Sequence, residues 1–75
     1  KHPLRGQEYI MTGFRDKHLI ERLAQVGAEQ GNSVKKTTIA VLVKNINENT
    51  SKTQEAKRLG IPVLSIEQFI MKYKL

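Results

Sequence analysis

Residues 39–43 read IAVLV, the most continuous apolar stretch in the chain. Five apolar side chains in succession leave no alternation between core and solvent, so the segment reads as a strand covered on both faces. Such a strand needs partners beside it and helices above and below, and the flanking sequence offers both. Upstream, Glu8 to Thr12 (EYIMT) is a short apolar run closed by Gly13, consistent with a second buried strand. Asp16 is placed to cap a helix, its carboxylate favoured by the free amides of the first turn. Leu19, Ile20, Leu23 and Val26 then recur at helical spacing, with Lys17, Glu21, Arg22 and Gln25 on the other side, and Gly27 fits a left-handed C-terminal cap. Glu29 to Ser33 is short and polar and fits a brief edge strand.

Downstream, Asn45 to Thr50 (NINENT) is a polar loop. Ser51 with Gln54 forms a capping box that opens a second helix, SKTQEAKRL, stopped by Gly60 and Pro62. Val63 and Leu64 supply a last short strand. Ser65 with Gln68 makes another capping box, Leu64 and Phe69 are spaced as a hydrophobic staple, and Ile66, Phe69, Ile70 and Tyr73 share the inner face of a third helix. Strands alternating with helices in this order predict an α/β fold, a small three-layer sandwich in which a four-stranded parallel sheet is flanked by three helices. The 75 residues are too few for a second domain. Residues 8–75 are expected to form one domain, and residues 1–7 (KHPLRGQ), polar and carrying Pro3 and Gly6, a basic lead-in or linker. Because the first residue is Lys1 rather than Met, the chain is expected to be a piece of a longer protein.

Several chemistries find no support. Without cysteine there is no disulfide scaffold, thiolate zinc site or cysteine nucleophile. A hydrophobic fraction of 39% with 27% charged residues suits a soluble globular domain rather than a disordered tail. No apolar run approaches the ~20 residues needed to cross a bilayer, so no membrane partner is expected. His2 and His18 lie far apart with no second ligand nearby, which argues against a metal. Neither a G-x-x-x-x-G-K-[ST] loop nor a G-x-G-x-x-G motif is present, Ser33, Ser51 and Ser65 lack a nucleophile context, and the carboxylates are scattered singly. The expectation is a non-catalytic piece without cofactor or metal.

Thirteen Lys and Arg against seven Asp and Glu leave a net charge of +6. That surplus on so small a body favours polyanions, nucleic acid foremost. Two features converge on anion binding. Thr12–Gly13 stands at the carboxyl end of a strand, where ligands gather in open α/β sheets, and offers a hydroxyl and an amide that can be approached closely. Its alternative reading is a strand-to-helix turn that simply needs Gly. Lys52 stands at the start of the second helix, where the positive end of the helix dipole disfavours a cation unless an anion sits nearby. Its alternative is a solvated side chain reaching away. If strand end and helix start meet in space, Thr12, Gly13 and Lys52 form one phosphate pocket.

From about Tyr9 to Tyr73 the chain resembles a BRCT domain. The resemblance rests on a strand ending in Thr12–Gly13–Phe14, a helix closing in Gly27–Ala28, and the segment Ser33–Val34–Lys35–Lys36–Thr37–Thr38 leading into Ile39–Val43. It continues with Ser51–Lys52 and Ala56, then Leu59–Gly60–Ile61–Pro62 before the last strand. Within that family it is most similar to the domains of NAD-dependent DNA ligases, viral ones included, and of the replication factor C large subunit. The resemblance implies the same four-stranded parallel sheet and non-catalytic recognition of phosphopeptides, 5′-phosphorylated DNA ends or other proteins. It also implies phosphate binding by Thr12, Gly13 and Lys52. Two departures stand out: Phe69 takes the place where many members carry Trp, and the loop Asn45–Thr50 lacks the Gly usual just before Ser-Lys in ligases.

The function expected is a module of a DNA ligase or other replication or repair protein that binds DNA at a nick or 5′-phosphorylated end, intracellular and DNA-associated. Arg15, Lys17, Lys35 and Lys36 are expected as DNA-backbone contacts beside the pocket, with Lys1 and Arg5 adding nonspecific ones. The alternatives are a protein-interaction module, binding a phosphoprotein or docking on other domains of its own parent, and a structural spacer. Phe14 reads as core before base-stacking platform. Lys57–Arg58 reads as solvated surface, and Met71 and Tyr73 are the candidate protein contacts.

Overall fold

The computed structural model describes residues 2–75; Lys1, with the contact expected of it, lies outside the described residues. The elements follow in the order β1 (Glu8–Thr12), α1 (Lys17–Gln25), β2 (Glu29–Gln30), β3 (Thr38–Val43), α2 (Ser51–Leu59), β4 (Val63–Ser65) and α3 (Ile66–Tyr73). The strands form one sheet in the order β2-β1-β3-β4, and every neighbouring pair is parallel. This is the four-stranded parallel sheet with three helices that the apolar pattern predicts.

Successive strand residues point to opposite faces, and that period sorts the core into two layers. Tyr9 and Met11 of β1 and Ala40 and Leu42 of β3 pack with Leu19 and Leu23 of α1 and Phe69 of α3. Ile10 and Val41, one residue out of phase, face Ala56 of α2 and are flanked by Val34, Ile61 and Val63. β3 is therefore buried on both sides, as IAVLV requires. Phe69 is fully buried and stands 5.0 Å from the Tyr73 ring, tilted by 58°, so it fills the core at the position where the resemblance expects Trp.

The helix starts show which local signals act. Asp16 caps α1, its carboxylate accepting from the Leu19 amide at 3.1 Å. Ser65 and Gln68 form the expected capping box on α3. At α2 the box lies one residue earlier than Ser51–Gln54. Thr50 is the cap: its hydroxyl accepts from the Thr53 amide at 3.2 Å, and Thr53 Oγ1 accepts from the Thr50 amide at 2.8 Å. Thr53 is 1% exposed, so its hydroxyl must be satisfied within the protein, and it also donates to the Thr50 carbonyl at 2.9 Å. Burial decides the register in favour of threonine.

The first residues described contribute to the core. Leu4 is fully buried in the layer beneath α1 and α3. Gly6 donates to the Gly27 carbonyl at 2.9 Å, and Gln7 accepts from the Glu29 amide at 3.0 Å. His2 Nδ1 accepts from the Leu4 amide, which leaves Nε2 to donate to the Tyr73 carbonyl at 3.1 Å. Gly27 has φ +90°, and a side chain there would press on Arg5, so glycine admits both the helix exit and this docked segment. Among the described residues no helix is long and apolar enough to cross a membrane.

Candidate functional site

In a parallel sheet all strands end at one edge. Here β1 ends in Thr12, β3 ends in Val43 directly beside it, and α2 starts above them. Thr12 Oγ1 lies 3.1 Å from Thr50 Oγ1, the cap of α2, so the strand end and the helix start meet. Lys52 follows two residues later in the first turn, on the same edge. Thr12 is buried at 8% exposure, whereas Gly13 is open to solvent and has φ +82°, a conformation that disfavours any side chain. The structure thus brings Thr12, Gly13 and the helix start carrying Lys52 to one place. The Lys52 ammonium donates to the Asn32 carbonyl at 2.8 Å, in the turn after β2.

One group at this edge has no counterpart in the sequence reading. The loop after β3 folds back on itself: Asn45 Oδ1 accepts from the Asn47 amide at 2.9 Å, and the Asn45 carbonyl accepts from the Glu48 amide at 2.9 Å. Glu48 Oε1 accepts in turn from the Asn45 amide at 3.3 Å. This turn lays the Glu48 carboxylate against Gly13, in the space a Cβ at that position would need. A negative charge therefore stands beside Gly13. No residue pattern in NINENT announces it, because the contact depends on how the loop closes.

The four expected backbone contacts separate into two groups. Arg15 and Lys17 stand at the same edge, exposed at the entry to α1. With Phe14, His18, Lys44 and Ile66 they line a groove of about 470 Å³ between the starts of α1 and α3. Lys35 and Lys36 precede β3, at the edge where the strands begin. The Lys35 amide donates to Thr38 Oγ1, and its ammonium lies 3.8 Å from Glu8, the first residue of β1. The four steps from Glu8 to Thr12 span about 13 Å. Lys44 follows Val43 and so stands at the edge of Thr12 and Gly13.

The remaining candidates are placed as follows. Phe14 packs against the core and also lines the groove. Tyr73 packs against the core, whereas Met71 is 79% exposed. Lys57 and Arg58 are exposed, and Arg58 is held by Glu55 at 2.7 Å; that hydrogen bond draws the Glu55 carboxyl below its usual range. Burial raises the Tyr9 phenol above its usual range, with the Arg15 guanidinium acting in the opposite sense. A recess of about 520 Å³ lined by His2, Pro3, Lys72, Tyr73 and Lys74 lies where the first residues meet the end of α3 and shares no residue with the phosphate trio. Among the described residues no three His, Cys, Asp or Glu side chains gather to hold a metal ion.

No family model matches the chain. It is similar to segments of DNA ligases. It is 35% identical over 63 residues, 84% of its own length, to the putative DNA ligase 205R of Invertebrate iridescent virus 6. It is 29% identical over 69 residues, 92% of its length, to a DNA ligase of Acanthamoeba polyphaga mimivirus. It is 33% identical over 75 residues, 95% of its length, to a DNA ligase of Symbiobacterium thermophilum. The chain spans 10–11% of the length of these relatives, so what it resembles is one small segment of each ligase.

Proposed function

We propose that this chain is a non-catalytic, BRCT-like module of a DNA ligase or another replication or repair protein, which binds DNA at a nick or 5′-phosphorylated end. The observation that carries the reading is the meeting of Thr12 with Thr50, which sets a strand-end hydroxyl and Gly13 beside the first turn of α2, where Lys52 lies. Two oxygens of a phosphate would take the Gly13 amide and the Thr12 hydroxyl, and Lys52 would exchange the Asn32 carbonyl for a third. The similarity to DNA ligases supports DNA as the source of that phosphate, as does the net charge of +6. Arg15, Lys17 and Lys44 lie on the same edge and would add the backbone contacts that one phosphate clamp needs.

The test compares a nicked duplex with and without its 5′-phosphate. Lys52→Ala removes one charged hydrogen bond and should weaken binding to the phosphorylated nick roughly tenfold, at the low end for charge-assisted bonds because the site is open. Binding to the unphosphorylated nick should change far less. The dependence of log affinity on log salt should also fall by about one for the phosphorylated probe. Equal losses on both probes would reject a phosphate-specific role.

A further inference from the structure

The groove beside the phosphate trio has a composition of its own. Its lining joins two apolar side chains, Phe14 and Ile66, to the cations Arg15, Lys17 and Lys44, with His18 alongside. The one carboxylate in the lining, Asp16, is engaged by the Leu19 amide. The groove is a shallow recess open to solvent, of a form suited to an extended chain lying across the surface. An apolar floor bordered by cations is what a nucleotide asks for: a flat base to cover and phosphates to neutralise.

Position gives the groove its meaning. Thr12 and Val43 are register partners in neighbouring strands, so the residues that follow them, Gly13–Phe14 and Lys44, form the rim shared by the trio and the groove. α2 and the trio lie on one side of the sheet, and α1, α3 and the groove on the other. Crossing this rim would bring a strand whose 5′-phosphate sat at Gly13 into the groove.

We propose that the groove seats the first nucleotides of that same strand in unpaired form, the leading base against Phe14 and Ile66 and the following phosphates against Lys44, Arg15 and Lys17. This rests on the phosphate reading above and adds to it a preference. A base held in a duplex stack cannot enter the groove without unstacking, at a cost in free energy. A 5′-phosphorylated single-stranded tail pays no such cost and is therefore the preferred ligand over a flush, paired 5′-phosphorylated end.

Fluorescence anisotropy of the 75-residue chain with four probes tests this: a duplex with a four-nucleotide 5′ tail and a flush duplex, each with and without the 5′-phosphate. The tailed phosphorylated probe should bind about tenfold tighter than the flush one, the scale expected for one stacked base. Lys44→Ala, a change at an exposed position, should erase most of that advantage while preserving discrimination for the phosphate. Phe14→Leu should do the same, and 2-aminopurine at the first base should change its emission on binding wild type but not Phe14→Leu. Equal affinity for tailed and flush probes, or a tail advantage untouched by both substitutions, would overturn the proposal. Phosphate discrimination retained in that result would leave the trio standing. A tail advantage without phosphate discrimination would sustain the groove and refute the trio.

Discussion

Glu48 offers the sharpest test of where a phosphate goes. Its carboxylate lies against Gly13, so an incoming phosphate must displace it or bind beside it. Two unit charges 4 Å apart in water repel by about 1 kcal/mol, and a terminal phosphate carries about −1.5 to −2 at neutral pH. Screening at 0.15 M salt, with a Debye length of about 8 Å, brings the product back to about 1 kcal/mol, or roughly fivefold in affinity. Glu48→Gln removes the charge and keeps an oxygen to accept from the Asn45 amide, so the loop retains its closure. The variant should bind a 5′-phosphorylated nick about fivefold tighter, with a smaller gain on the unphosphorylated nick. Any lost carboxylate raises the net positive charge, so the comparison needs Glu29→Gln, an exposed residue at the far edge of the sheet in register with Glu8. Anisotropy at two salt concentrations reads both variants. If Glu29→Gln gains as much, or if Glu48→Gln gains equally on both probes, the carboxylate does not stand in the phosphate's place.

Two predictions concern the fold. Leu4→Ala should cost about 2–5 kcal/mol in chemical denaturation, as for a fully buried leucine, and a loss well under 1 kcal/mol would mean that residues 2–7 lie outside the cooperative core. The raised Tyr9 phenol favours the neutral form in the folded state, so its contribution is complete below pH ~10 and lost as pH rises through the folded value, at no more than about 1.4 kcal/mol per pH unit. Thermal melts across the alkaline range should show this loss in wild type and less of it in Tyr9→Phe; identical alkaline limbs would refute it.

Elements with a strong period could be read from the chain, and features that depend on a partner far along it could not. IAVLV declared a strand buried on both faces, and Asp16 and Ser65 declared their helices because a cap needs only residues three apart. At TSKTQ two overlapping boxes satisfy the same spacing. Thr50–Thr53 prevails because Thr53 is buried and Thr50 also meets Thr12, and neither fact is local. Leu4 escaped for a related reason: one leucine among polar residues has no period, and only Gly27, twenty-three positions away, explains why the segment can dock.

The edge on which Lys35 and Lys36 stand follows from the order of the elements alone. A parallel sheet sends every residue just after a strand to one edge and every residue just before a strand to the other. Thr12–Gly13 end β1, so Lys44, which follows β3, had to join them, and Lys35–Lys36, which precede β3, had to stand opposite. Topology alone therefore sorts the cations of this chain, before any side chain is placed. Lys52 obeys the same rule, because a helix that follows a strand begins at the edge where that strand ends. Glu48 obeys it too, yet the rule yields only its edge; that its carboxylate lies on Gly13 follows from the Asn45 turn, and a loop's closure is written in no period. The same edge thus gathers Arg15, Lys17, Lys44 and Lys52 together with the carboxylates of Glu48 and Asp16. Under the phosphate reading proposed above, affinity is the balance of the two signs, and the charge at position 48 should register in binding as clearly as the charge at position 52.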